Sequence, residues 1–391
     1  MKKILVIVLC ITLILSFSIS IFAENDKNNA AEQTNVAISD FEVNAKSAIL
    51  MEAGTGKILF MQNETEKSSP ASVTKIMTLL IIMEAVADGR ISLTDKVTVS
   101  DSAASKGGSQ VFLEEGEEMT VEELIKCTVI ASANDAAVAL AEYVGGSEKI
   151  FVSMMNKRAE ELGMENTNFE NATGLDDTTS NHVTCAKDIA IMSKELIKYE
   201  LILKYSSLWQ DTIRNGEFTL TNTNRLVRYY DGCNGLKTGS TDKAGYCISA
   251  TAKRGDMQLI AVIMGAPTRD IRNAAARSLL DFGFSNYTLY KTDEKALENI
   301  SIYNGVKDSA TLYSAPFTAV IPKNSAKKVE LVFDIPKNIS APVTAYGEIG
   351  KIVYKIGEEE IGTSKIYLIE DVDKITFIDL FFGIFSALFK G

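Results

Sequence analysis

Ser69-Pro70-Ala71-Ser72-Val73-Thr74-Lys75 opens a long, mostly apolar run from Ile76 to Val86. The pattern predicts a helix: Ser69 suits the N-cap, and Pro70 suits the first helical position because its missing N–H would have had no intrahelical partner. Ser72 then falls at the third position and Lys75 one turn above it, so amine and hydroxyl can meet on one face. A nucleophile stands beside a base. The N–H of Ser72 also lacks an intrahelical acceptor and can point toward a developing oxyanion. The bland alternative is an ordinary capped helix, because Ser-x-x-Lys recurs by chance. A helix that is apolar on nearly every side from Ile76 to Met83 must be covered completely by its neighbours, which places it in the middle of a domain.

Upstream, Ser47 to Met51 and Lys57 to Phe60 read as strands joined across Ala53-Gly54-Thr55-Gly56, whose glycines can take positive φ. Downstream, helical patterns fit Val121 to Ala131, Asp135 to Tyr143, Ile150 to Leu162 and Ala186 to Ile197. Strand patterns return at Gly245 to Ala252 and Met257 to Met264, followed by a helix from about Asp270 to Phe282 that Gly283 is expected to end. Strands at both ends with helices between them predict an α+β domain, an antiparallel sheet flanked by helices. Composition changes near Thr292: four of the six prolines, Pro316, Pro322, Pro336 and Pro342, fall among short runs such as Val329 to Phe333 and Lys351 to Lys355. A small all-β domain is expected there. The expected boundaries are 41–290 for the first domain and 291–371 for the second.

The 391 residues are 46% hydrophobic, enough for a large core and about two to three domains. A net charge of -11 and a pI near 4.9 argue against nucleic acid as a partner. His182 is the single histidine, so a multi-histidine zinc site is excluded and no metal or cofactor is expected. Met1-Lys2-Lys3, the apolar stretch Ile4 to Phe22 and Ala23-Glu24 read as a secretory signal over residues 1–23, cleaved after Ala23, with an uncleaved anchor as the alternative. Cys10 belongs to that signal. Residues 24–40 read as a flexible polar linker. Cys127, Cys185, Cys233 and Cys247 are expected to be buried free thiols; two disulfides in any of three pairings are the alternative.

Two further elements join the opening stretch. Ser132-Ala133-Asn134 lies between two helical segments, and Lys237-Thr238-Gly239 precedes the strand pair. Each alone has a bland reading, as a helix cap or a turn. Together with Ser72 and Lys75 they resemble the trio of class A β-lactamases and penicillin-binding proteins, with Ala133 where the middle element has aspartate. From about Ala45 to Phe284, through Pro70 to Thr78 and Gly235 to Gly239, the chain resembles the low-molecular-mass penicillin-binding proteins, the serine D-alanyl-D-alanine carboxypeptidases.

The resemblance implies a β-lactamase/transpeptidase-like fold, peptidoglycan stem peptides as substrate and β-lactams as inhibitors. Ser72 would be the acylated nucleophile and Lys75 its general base, kept neutral if Lys237 lies nearby. Ser132 would relay a proton to the departing D-alanine amine, and Asn134 would hold the substrate amide. Lys237 and Thr238 would bind the terminal carboxylate, Gly239 would let the substrate backbone approach, and the N–H of Ser240 would be the second oxyanion donor. Arg272 resembles the family's carboxylate-side arginine, with Arg269 as the alternative. His182, following Asn171-Ala172-Thr173-Gly174-Leu175, is expected to be structural. Two rivals remain: a class A-like β-lactamase using Glu165 or Glu170 for deacylation, and a non-catalytic wall-binding protein.

The last segment, within 372–391, carries Thr376, Asp379, Gly383, Ser386 and Lys390 at alternating spacings of three and four, with Phe and Ile filling most of the rest. This predicts an amphipathic helix lying in the membrane interface, on the outer face of the cytoplasmic membrane after export. The alternative is a terminal helix packed on the β domain.

Overall fold

Strand β1 (Ser47–Glu52) and strand β2 (Ile58–Gln62) form the expected hairpin. They extend a sheet whose other members are β3 (Cys233–Thr241), β4 (Gly245–Arg254) and β5 (Met257–Ala266). In this computed structural model, which describes residues 41–176 and 179–388, the order is β2-β1-β5-β4-β3 and every pairing is antiparallel. The signal and linker expected over residues 1–40 lie outside the described residues. Alternation along the strands assigns the two faces. Ile49, Met51, Ile260 and Val262 join the helical core, whereas Leu50 and Leu259 meet Gly283 on the other side.

The helices on the core face are α1 (Lys75–Ala87), α2 (Val121–Ile130), α3 (Asn134–Gly145), α4 (Glu148–Glu161) and α5 (Ala186–Leu196). Ile76 through Met83 of α1 are all buried, as its apolar circumference requires, and each such aliphatic side chain contributes about 1.5–3 kcal/mol by leaving water. Helix α2 starts in a capping box: Thr120 Oγ1 accepts the Glu123 N–H at 3.1 Å, and Glu123 Oε2 accepts the Thr120 N–H at 3.1 Å.

Two local expectations need correction. Ser69 does not cap α1: Ala71–Thr74 forms a 3-10 turn running directly into the helix, no side chain caps either start, and the buried Ser69 Oγ has no hydrogen-bond partner among the described residues. Nor does Gly283 end the helix that follows β5, α6 (Arg269–Asn286). A β-carbon on Gly283 would lie 2.6 Å from Leu259 Cδ1 and 3.0 Å from Leu50 Cδ2, so its bareness serves helix–sheet contact rather than termination.

Strand β6 (Tyr287–Thr292) follows α6 without a break. The β-rich part continues with β7 (Lys295–Tyr303), β8 (Ser309–Ser314), β9 (Phe317–Pro322), β10 (Val329–Asp334), β11 (Asn338–Ser340), β12 (Gly350–Ile356) and β13 (Glu359–Tyr367). Six strands form a sheet in the order β10-β12-β13-β8-β7-β11, while β6 pairs with β9 along its whole length. The expected junction at residues 290 and 291 therefore falls inside β6. At the other end, Val372 is fully buried in the second core and bridges Val343, so the tail helix α7 begins only at Phe377 (Phe377–Leu388). Thr376 and Asp379 cap it reciprocally.

Helix α7 is not packed on the β-rich part: Phe377 is 80% exposed, Phe382 64% and Ile384 63%. Among the described residues no helix is long and apolar enough to cross a membrane. Cys127, Cys185, Cys233 and Cys247 are free and buried, and burial pushes each thiol above its ordinary range.

Candidate active site

In a 3-10 turn, residues three apart eclipse one another, which stacks Lys75 over Ser72. Lys75 Nζ lies 3.0 Å from Ser72 Oγ and also donates to Asn134 Oδ1 at 2.5 Å and to the Thr173 carbonyl at 2.9 Å. Lys75 is fully buried. Burial lowers its pKa well below the ordinary lysine value, the positive charge of Lys237 lowers it further, and Asp135 opposes both. A neutral amine keeps two N–H groups for Asn134 and Thr173 and turns its lone pair toward Ser72. That is the form of a general base.

One wall is Ser132, whose φ of 64° is uncommon for a residue with a side chain. It is held there by its neighbours: Ala133 donates its N–H to the Cys127 carbonyl at 3.1 Å and Asn134 to the Ser109 carbonyl at 2.7 Å. The other wall is β3, the free edge of the sheet, which carries Lys237, Thr238, Gly239 and Ser240. Lys237 Nζ crosses the cleft to Ser132 Oγ at 2.7 Å, and Thr238 Oγ1 donates to Thr223 Oγ1 at 2.8 Å. Lys237 is buried, and burial first, then the Arg272 charge, lowers its pKa to about 7.

Between these walls is a cavity of about 410 Å³ lined by Ser72, Ser132, Thr238, Gly239, Ser240 and both arginines named from the sequence, among others. Arg272 is buried and donates to Asn273 Oδ1, whereas Arg269 is exposed. Asn134 is buried with both ends of its amide engaged, since Nδ2 donates to the Gly107 carbonyl at 2.7 Å. Neither Glu165 nor Glu170 lines the cavity, and Glu170 accepts the N–H of Asn181 at 2.9 Å.

His182 is buried behind the Ser72 turn. Its Nδ1 accepts the N–H of Glu170 at 2.9 Å, which leaves the proton on Nε2 for Thr74 Oγ1 at 2.8 Å. Burial lowers its pKa to about 4. The side chain is a brace and does not line the cavity.

Several contributors carried no advance sign. The Thr173 carbonyl reaches Lys75 because Asn171 Oδ1 gathers the N–H groups of Thr173 and Gly174 into a turn. Asn-Ala-Thr-Gly marks that turn but not its target. Thr223 and Trp209, which also line the cavity, follow no motif.

The chain is similar to known proteins along most of its length. The family model described as D-alanyl-D-alanine carboxypeptidase matches residues 30–268, and that of the penicillin-binding protein 5 C-terminal domain matches residues 284–374. The chain is 43% identical over 386 residues to the D-alanyl-D-alanine carboxypeptidase DacF of Bacillus subtilis, covering 97% of this chain and 96% of that protein. It is 34% identical over 357 residues to DacC of Escherichia coli, covering 88% of each. The crystal structure of penicillin-binding protein 5 from Haemophilus influenzae superposes with a TM-score of 0.78 at 33% identity, over 85% of this chain and 99% of that one. Penicillin-binding protein D2 from Listeria monocytogenes, solved in its ampicillin-bound form, superposes with a TM-score of 0.58 at 31% identity, over 62% of this chain and 99% of that one. Two matched models and near-full-length relatives thus lead to one conclusion: this chain belongs to the D-alanyl-D-alanine carboxypeptidases, a family of serine peptidases.

Proposed function

We propose that the protein removes the terminal D-alanine from peptidoglycan stem pentapeptides through an acyl-enzyme on Ser72. The observation that carries this is the buried Lys75 amine 3.0 Å from Ser72 Oγ, with its pKa depressed. Lys75 takes the hydroxyl proton as Ser72 Oγ attacks the penultimate carbonyl, and the N–H groups of Ser72 and Ser240 receive the oxyanion. Ser132 passes a proton to the departing amine. Lys237, Thr238 and Arg272 hold the terminal carboxylate, and the second N–H of Asn134 Nδ2 is left for the substrate amide. Water then hydrolyses the ester and returns Ser72. β-Lactams acylate the same serine, in keeping with the antibiotic complexes of the Listeria relative.

The site works outside the cell, where the wall lies. Residues 1–23 act as the export signal and 24–40 as a linker; the serine peptidase domain and, from β6 onward, the β-rich domain follow, and the tail from Phe377 rests on the outer face of the cytoplasmic membrane. The exposed apolar face of α7 supports this last step. Ser72→Ala is expected to abolish both D-alanine release from a pentapeptide and covalent labelling by a fluorescent penicillin. A labelled Ser72→Ala protein would move the nucleophile elsewhere.

A further inference from the structure

Lys237 and Thr238 mark the end of the cleft assigned to the substrate's terminal carboxylate, and the cavity continues past them. From Thr223, bonded to Thr238, the wall runs to Arg225 and to Trp209, whose carbonyl accepts the N–H of Asn222 at 2.9 Å. Arg269 and Arg272 close the same end from the first turn of α6. Trp209 is braced from outside, with the Tyr229 ring edge-on at 6.4 Å and the Arg228 guanidinium 5.2 Å over its face.

The charge at this end exceeds what one carboxylate needs. Lys237, Thr238 and Arg272 suffice for that group. Arg225 and Arg269 remain, both exposed, and neither makes a side-chain hydrogen bond or ion pair with another described residue. No acidic residue lines the cavity among the described residues, on a chain whose net charge is -11. Solvated surface arginines are common, but these line one cavity together with the buried Arg272, whose charge is disfavoured first by burial, then by Arg269 and least by Arg225. A cavity with cations on one side and no anion among them attracts a ligand that supplies the anion.

We infer that the leaving-group end of the cleft is a second anion subsite, formed by Arg225 and Arg269 against the Trp209 wall, and that it admits a C-terminal D-residue with an acidic side chain. The α-carboxylate of such a residue takes the place of D-alanine's, and its side-chain carboxylate extends to the two free arginines. The reaction is unchanged in kind: the Ser72 Oγ–acyl bond forms, the peptide C–N bond breaks, the amine leaves with the proton shed by the hydroxyl, and water hydrolyses the ester. The released amino acid is acidic. This inference rests on the reading of Lys237 and Thr238 as the carboxylate end.

The test compares synthetic peptides ending in D-Ala-D-Ala, D-Ala-D-Glu and the neutral isostere D-Ala-D-Gln. In the wild type, kcat/KM for D-Glu is expected to exceed that for D-Gln by about tenfold, the worth of one charged hydrogen bond. Arg225→Gln and Arg269→Gln should each shrink that ratio, and the double variant should bring it near one. Because the ratio is taken within each protein, general damage cancels. A wild-type ratio near one, or a ratio unchanged in the double variant, overturns the subsite. Independently, Ser72→Ala protein titrated with the two peptides reports through Trp209, the single tryptophan; tighter binding of the D-Glu peptide is expected, and equal binding overturns the inference. If the wild type releases no D-alanine from D-Ala-D-Ala, the carboxypeptidase reading falls while this titration still decides the subsite.

Discussion

Gly239 leans on the backbone of Ser72: a β-carbon added to Gly239 would lie 2.7 Å from the Ser72 nitrogen and 2.9 Å from that of Val73. The glycine was expected to make room for substrate, and its nearest crowding is the turn that carries Ser72. Gly239→Ala should therefore push β3 away from Ser72 without emptying any core. A displacement near 1 Å at the reacting atoms costs about 100-fold in rate, so acylation by substrate and by penicillin should fall about equally while the melting temperature changes little. Acylation at the wild-type rate would mean that the turn and strand part freely.

The two cleft lysines predict opposite limbs in the pH profile of kcat/KM. Acylation needs Lys75 neutral, so the rate rises as its depressed pKa is passed. Carboxylate binding needs Lys237 charged, so the rate falls above about 7. A bound carboxylate raises the Lys237 pKa, which moves the falling limb of kcat to higher pH than that of kcat/KM. Lys237→Ala should lose the falling limb, lower kcat/KM by about 10- to 100-fold, and shift the rising limb upward as Lys75 recovers its pKa. An unchanged bell in that variant removes Lys237 from the site.

His182 predicts a stability loss in acid. Its folded pKa of about 4 lies below the unfolded value of 6.5, so the unfolded chain binds more protons between those values and stability falls as pH drops through the window. The full loss is about 3 kcal/mol, complete below about pH 4. His182→Gln should flatten this part of the denaturation profile, read by urea unfolding at pH 4 and pH 7. An identical slope in both proteins would show that other groups carry it.

The tail predicts reversible attachment. Deletion from Phe377 onward in the signal-processed protein should leave activity on soluble pentapeptide intact and reduce co-sedimentation with phospholipid vesicles by at least about tenfold, because the apolar face of α7 is the surface that partitions. Equal sedimentation of both forms would end the anchor proposal.

The parts legible in the sequence are those set by near neighbours. Ser72 and Lys75 are three residues apart, and the spacing alone puts one over the other in a helical turn of either kind. Strand-like runs joined across a glycine turn drew the first hairpin, and apolar periodicity placed α2, α4 and α5 to within a residue or two. Gly283 shows the limit: as a helix stop it followed local rules, but Leu50 and Leu259, far away in sequence, set its real constraint.

The sequence alone determined which side chains could do the chemistry and that they sit at the head of a buried helix, between two helices and ahead of a strand pair, because residue type and short-range period are written locally. That Lys237-Thr238-Gly239 is itself an edge strand came only with the sheet. Only the tertiary structure decided what each of them touches. Lys75 meets a carbonyl 98 positions away at Thr173, and Lys237 meets a hydroxyl 105 positions away at Ser132. Such contacts form when the sheet edge closes on the helices. No spacing records them, because the intervening chain can change without altering where the sheet edge lands. The depressed lysine pKa values belong to the same level, since burial and convergence of charge exist only once the cleft is assembled.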